Sequence, residues 1–164
     1  MLSGETGVGQ YPVRCVEQLD NITAKAERFQ GLGYEKSLEV NGDKQHVAIH
    51  AVALAESLNA AGIVVITRRG LTADYVTNAR PMSVPIYAFT NNSQSRRRLA
   101  LNRSVYANRI AFSSDPEKTL QRAFDVLQKK EGLSATDKVI VISDVLADQP
   151  TEAIQIRSIF NNKR

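Results

Sequence analysis

The chain has 164 residues, of which 43% are hydrophobic and 23% charged, with a formal net charge of +4; this composition supports one compact domain with a real core and leaves room for an appendage. Cys15 stands alone, which excludes a disulfide framework or a cysteine metal site within the chain, and no apolar run approaches the roughly 20 residues that cross a bilayer. Leu2-Ser3-Gly4-Glu5 lacks the basic stretch and apolar run of a secretory leader, so no signal peptide and a reducing, cytoplasmic setting are expected.

Residues 1–11 read as a glycine-rich loop. Pro12 suits a first helical position, where its missing N–H costs nothing. Val16, Leu19, Ile22, Ala26 and Phe29 recur at spacings of three and four, so the pattern predicts an amphipathic helix over 12–29, stopped by Gly31 and Gly33. The polar stretch 31–43 contains the turn signal Asn41-Gly42-Asp43. It separates an appendage, residues 1–43, from a main domain, residues 44–164.

Val47, Ala51, Leu54, Leu58 and Ala61 predict a second helix, closed by Gly62. Residues 63–66 are continuously β-branched, as in a strand buried on both faces. Residues 67–71 form a short loop, and Thr72 is placed to cap the next helix, which Arg80-Pro81 breaks. Residues 85–89 read as a second strand. Asn91-Asn92-Ser93 turns into a helix bearing Arg96, Arg97 and Arg98, and 105–107 is a short third strand. Asp115-Pro116 opens a helix lined by Leu120, Phe124 and Leu127 and ended by Gly132. Residues 139–143 form a fourth strand. From Ala153 to Phe160, Ile154 and Ile156 alternate with Gln155 and Arg157, as on a half-exposed edge strand. Such alternation predicts an α/β fold, a three-layer α/β/α sandwich around a mixed, mostly parallel five-stranded sheet.

Gly4-Glu5-Thr6-Gly7-Val8-Gly9-Gln10-Tyr11 approaches the phosphate-binding pattern G-x-x-x-x-G-K-[ST], but Gln10 replaces the lysine and Tyr11 the magnesium-binding hydroxyl, so no nucleoside-triphosphate loop is expected. The 67–72 loop has a stronger rationale. It joins the C-terminal end of a buried strand to a helix N-terminus, where free N–H groups and the helix dipole favour an anion. Gly70 allows close backbone approach, Thr67 and Thr72 offer hydroxyls, and Arg68 and Arg69 add charge around Leu71. The same residues also read as a plain helix cap with two solvated arginines. Arg96, Arg97, Arg98, Arg103 and Arg109 concentrate positive charge, as on a solvated helix face or a surface for phosphate, nucleic acid or an acidic partner. No aromatic residue interleaves with them, so nucleic acid is not an expected partner. His46 and His50 have metal-ligand spacing, yet nothing completes a set, and no metal is expected. Asp74, Asp115 and Asp125 have no partner that the sequence identifies, and Cys15 reads as packed.

Met1-Leu2-Ser3-Gly4-Glu5-Thr6, Gly9, Tyr11-Pro12-Val13 and Val16 resemble the pyruvate kinase segment M-L-S-G-E-T-A-x-G-x-Y-P-x-x-x-V, with Gly7 at the usual alanine. The resemblance continues through Ala48-Ile49-His50-Ala51-Val52 and Ala61 to Thr67. It then takes in the T-x-x-G-x-[ST] loop Thr67-Arg68-Arg69-Gly70-Leu71-Thr72, Arg80-Pro81, Val84-Pro85-Ile86-Tyr87-Ala88, and Arg98 to Val105 with Ser104 at the usual glycine. It is similar in flavour to the bacterial type activated by AMP or sugar monophosphates.

The resemblance implies the last barrel loop and helix of that enzyme followed by its C-terminal regulatory domain. It further implies a phosphorylated effector at residues 67–72, a homo-oligomer with Arg96, Arg97, Arg98 and Arg103 at a subunit interface, and no membrane. The family's reaction passes a phosphoryl group from phosphoenolpyruvate to ADP. It uses a lysine, magnesium-binding carboxylates and a potassium site on earlier barrel strands, and those segments are not among these residues. Ser3, Glu5 and Thr6 lie near that active site by analogy. This chain is therefore expected to carry no catalytic residues, to bind no cofactor and to be inactive by itself. The family's glycine-bearing G-x-T-N closing loop corresponds to 144–152, which has Asp144, Asp148 and Glu152 and keeps only Thr151. Like charges there oppose tight capture of a sugar bisphosphate. The alternative is a standalone binding module for a nucleotide or sugar phosphate.

Overall fold

A computed structural model describes residues 2–29, 33, 39–143 and 153–159. The chain divides into two compact units, Met1–Ser37 and Leu38–Arg164. In the first, α1 (Gly4–Gly7) precedes α2 (Pro12–Glu27). The expected loop thus contains one helical turn. The N–H groups of Val8 and Gly9 both donate to the Gly4 carbonyl at 2.9 Å, and Glu5 turns back to accept the Ser3 N–H at 3.0 Å. Hydrogen bonds to the carboxylate from its own backbone N–H and from that of Ser3 hold the Glu5 carboxyl below its ordinary pKa range. Gly4 to Gly9 is therefore a turn closed on the Gly4 carbonyl. α2 starts at Pro12 as expected and buries none of its residues; Val16 and Ile22 are about half exposed, and Phe29, just beyond it, is 69% exposed.

The second unit opens with α3 (Asp43–Ser57) and continues with β1 (Gly62–Ile66), α4 (Leu71–Asn78), β2 (Ile86–Thr90), α5 (Ser93–Leu99) and β3 (Val105–Arg109). It closes with α6 (Pro116–Val126), a π-helical turn (Leu127–Glu131), β4 (Lys138–Ser143) and β5 (Ala153–Ser158). The strands lie in the order β3-β2-β1-β4-β5. The first four are parallel, with Ile63 beside both Ile86 and Ile140, and β5 runs antiparallel to β4. One face is covered by Ala48, Ala51, Val52 and Ala55 of α3, Ala73 and Val76 of α4, and Leu99 of α5. The other is covered by Leu120, Ala123 and Phe124 of α6 with Leu127. The fold is the three-layer sandwich that the alternating pattern predicts. Residues of β1 and β2 are buried without alternation because helices exclude water from both faces.

Several local expectations are corrected. The buried stripe of α3 is Ala48, Ala51, Val52 and Ala55; the expected Val47 and Leu54 pack at its edge, while Leu58 is 40% exposed. Small side chains bring this helix close to the sheet, which a stripe of leucines would not. The helix ends at Ser57, and Asn59 turns the chain with a positive φ of 48°. Gly62 is the first residue of β1, not a helix stop. A Cβ there would lie 2.4 Å from the Tyr87 ring, so glycine makes room for that side chain. β3 extends to Arg109, two residues beyond the expected strand. β5 is the expected half-exposed edge; its Arg157 forks onto Glu117 of α6 at 3.0 and 2.6 Å. Residues 144–152, the expected closing loop, lie outside the described residues. Among the described residues no helix is long and apolar enough to cross a membrane.

Candidate functional site

The chain leaves β1, winds outward through β2 to β3, and returns to the opposite side of β1 as β4. In open α/β sheets ligands usually bind beyond the C-terminal strand ends at the point where the winding reverses. The 67–72 loop leaves β1 at this end.

Five polar backbone groups of the loop are tied down. The Thr67 N–H donates to the Phe89 carbonyl at 2.9 Å. Thr90 Oγ1 donates to the Arg68 carbonyl at 2.9 Å, and Arg98 Nη2 donates to the Arg69 carbonyl at 2.9 Å. The Gly70 N–H donates to Thr67 Oγ1 at 3.1 Å, while its carbonyl accepts the Asp74 N–H at 3.0 Å. Gly70 itself, at φ +90° and ψ 0°, caps α4. Two constraints demand glycine there: the left-handed backbone, and a Cβ position 2.6 Å from Arg98 Nη2 and 3.1 Å from Leu99.

This geometry redistributes the expected roles. Thr67 and Thr72 are both fully buried. Thr67 shapes the turn, and Thr72 lies inside α4 while Gly70 holds the cap position expected for Thr72. Arg68, Arg69 and Leu71 are exposed. The outward face of the loop therefore offers two guanidinium groups beside the positive end of α4, whose first N–H groups lack partners within the helix.

The arginine cluster does not stay together. Arg96 and Arg97 are exposed on α5. Arg98 turns back onto the 67–72 loop and pairs Nη1 with Asp74 Oδ2 at 2.9 Å. Asn102 Nδ2 holds the other Asp74 oxygen at 2.8 Å. Arg103 reaches the Pro81 carbonyl at 3.4 Å, and Arg109 donates to Ser93 Oγ at 2.7 Å. Asp74, Arg98 and Asn102 thus join the loop although sequence separates Asp74 from the other two by more than twenty residues. No local pattern announces that contact.

The remaining candidates have structural partners. Asp115 caps α6 by accepting the Glu117 N–H at 3.0 Å, and Asp125 accepts from Gln121 at 3.1 Å. His50 Nδ1 sits 2.8 Å from the His46 carbonyl, a bond along its own helix. Among the described residues no three His, Cys, Asp or Glu side chains gather to hold a metal ion. Cys15 is half-buried, in a groove with Leu2, Tyr11, Arg14, Leu19 and Ile22. Glu56 accepts the N–H groups of Met82 and Ser83 at 2.7 and 3.0 Å and the Ser83 hydroxyl. Burial alone would raise its pKa, but these hydrogen bonds outweigh it and hold the carboxyl below the ordinary glutamate range. Burial, then Glu131 and Tyr106, pushes the Tyr87 phenol up.

The family model "Pyruvate kinase, alpha/beta domain" matches residues 45–156, the sheet and every helix of the second unit. The chain belongs to the pyruvate kinase family. Pyruvate kinase isozyme G, chloroplastic, of Ricinus communis is 32% identical over 98% of this chain and 40% of its own length. The pyruvate kinase of Dictyostelium discoideum is 29% identical over 96% of the chain and 32% of its own length. The crystal structure of a Cryptosporidium parvum pyruvate kinase superposes with a TM-score of 0.80 at 24% identity, covering 97% of this chain and 32% of that one; it shows the same fold. The chain spans less than half the length of each of these pyruvate kinases, and what it shares with them across the second unit is the alpha/beta domain.

Proposed function

We propose that this chain is the regulatory and assembly part of a pyruvate kinase, binding a phosphorylated small molecule at the 67–72 loop and performing no phosphoryl transfer alone. The carrying observation is the loop itself. It is held rigid by five anchors from its neighbours and its own residues, stands at the switch point of the sheet, and presents Arg68 and Arg69 outward beside a helix N-terminus. A rigid donor frame loses little entropy when it takes an anion. The ligand class is a phosphate monoester on a nucleotide or sugar. Arg96 and Arg97, exposed on α5, supply the polar surface for a second copy of the chain.

The test is thermal unfolding of the chain with AMP or glucose 6-phosphate. Either ligand at millimolar concentration raises the Tm of the wild type, as binding to the folded state alone requires. The gain disappears in Arg68→Ala/Arg69→Ala, whose exposed side chains carry no part of the core. An unchanged Tm with both ligands overturns the effector reading. Pyruvate formation from phosphoenolpyruvate and ADP by the purified chain overturns the inactive one.

A further inference from the structure

Arg98 is placed at the loop and is already engaged. Its guanidinium lies against Gly70, with Nη2 on the Arg69 carbonyl and Nη1 on Asp74. The Arg98 side chain is 50% exposed and that of Asp74 is 25% exposed, so the pair meets solvent at the same corner that presents the loop. Asp74 sits in the first turn of α4. A carboxylate there favours the helix dipole but repels an anion approaching the same turn.

We propose that Asp74 is a built-in competitor for Arg98. The carboxylate holds the guanidinium that a phosphate group at the loop would otherwise share, so ligand binding proceeds by exchange of the ion pair. The proposal rests on the reading of the loop as a phosphate site and names how that site is regulated. Three features make the exchange feasible. A guanidinium forms two parallel bonds to phosphate as readily as to a carboxylate. A half-exposed ion pair is weak enough for a ligand to displace. Asn102 keeps its bond to the second Asp74 oxygen, so Asp74 stays in place and partnered when Arg98 leaves. The pair thereby sets a threshold: weak anions leave it closed, and a dianion with further contacts to Arg68 and Arg69 opens it.

The experiment is an NMR titration of the full chain with inorganic phosphate, following the amides of Gly70 to Asp74, in wild type, Asp74→Asn, Arg98→Gln and the double variant. Asparagine keeps the shape of Asp74 and its acceptor for Asn102. Asp74→Asn tightens phosphate binding by up to about fivefold, Arg98→Gln weakens it, and in the double variant the gain from Asp74→Asn vanishes. If Arg98→Gln does not fold, Arg98→Lys replaces it, retaining charge without the fork, and the gain from Asp74→Asn shrinks. A gain that persists in the Arg98 variant shows plain charge repulsion and overturns the exchange, as does equal binding to wild type and Asp74→Asn. Both outcomes leave the loop standing as a phosphate site. Perturbation of these amides in neither protein removes the loop reading and the exchange with it.

Discussion

Replacing Gly70 with alanine probes the most constrained point of the loop. Two costs add. An L-residue held in left-handed backbone loses about 1–2 kcal/mol. The new Cβ also lies 3.1 Å from Leu99, which is fully buried, and 2.6 Å from Arg98 Nη2. Leu99 has to shift by a few tenths of an ångström in a packed layer, at the low end of the roughly 1–3 kcal/mol of overpacking. Arg98 is half exposed and swings aside, losing an ion pair worth up to about 1 kcal/mol. The sum is about 3 kcal/mol. Urea unfolding followed by circular dichroism measures it. At a slope of about 1.5 kcal/mol/M the midpoint falls by about 2 M with the slope unchanged. Gly70→Asn separates the costs, because asparagine tolerates the left-handed region but still carries the Cβ; it recovers part of the loss. A loss below about 1 kcal/mol for Gly70→Ala refutes the close approach of Arg98 and Leu99.

Glu56→Gln destabilises the chain at neutral pH by up to about 1 kcal/mol, a charge-assisted contribution reduced because the carboxylate meets water. The Glu56 pKa is lowered on folding. Its stabilisation is therefore complete above the unfolded value of about 4.3 and disappears as pH falls through the folded value. Urea midpoints of wild type and variant differ at pH 7 and converge in acid; a difference that grows on acidification contradicts this. Asn92 accepts the N–H groups of Gln94 and Ser95 at 2.8 and 3.0 Å, so Asn92→Ala removes the cap of α5 at about 1 kcal/mol. Because α5 carries Arg98, amide exchange in Asn92→Ala quickens in the 67–72 loop as well as in α5, whereas exchange confined to α5 shows that the loop does not depend on it.

The sheet was legible because its signals are local. The runs at 63–66, 85–89 and 139–143 are apolar on both sides of the strand, which only double burial explains, and Asn92, Asp115 and Pro116 mark helix starts by their own hydrogen-bonding chemistry. The loop was legible in part, since Gly70 at a strand-to-helix turn calls for left-handed backbone. The cap position expected of Thr72 belongs to Gly70. A hydroxyl's availability depends on what packs over it, and Thr67 and Thr72 are fully buried. Gly62 was misread for the same reason: the Tyr87 side chain that demands it comes from the neighbouring strand.

By itself, then, the sequence determined the order of helices and strands, the mixed sheet and the family. Periodicity, capping and motif residues act within a few positions of one another, and each states its preference locally. Only the tertiary structure decided which charges meet. Arg98 belongs by sequence to a run of three arginines, yet α5 packs so that Arg96 and Arg97 stay exposed while Arg98 crosses to Asp74, Arg69 and Gly70. That assignment depends on the angle at which two helices lie on one sheet, a property of packing that no stretch of the chain carries alone.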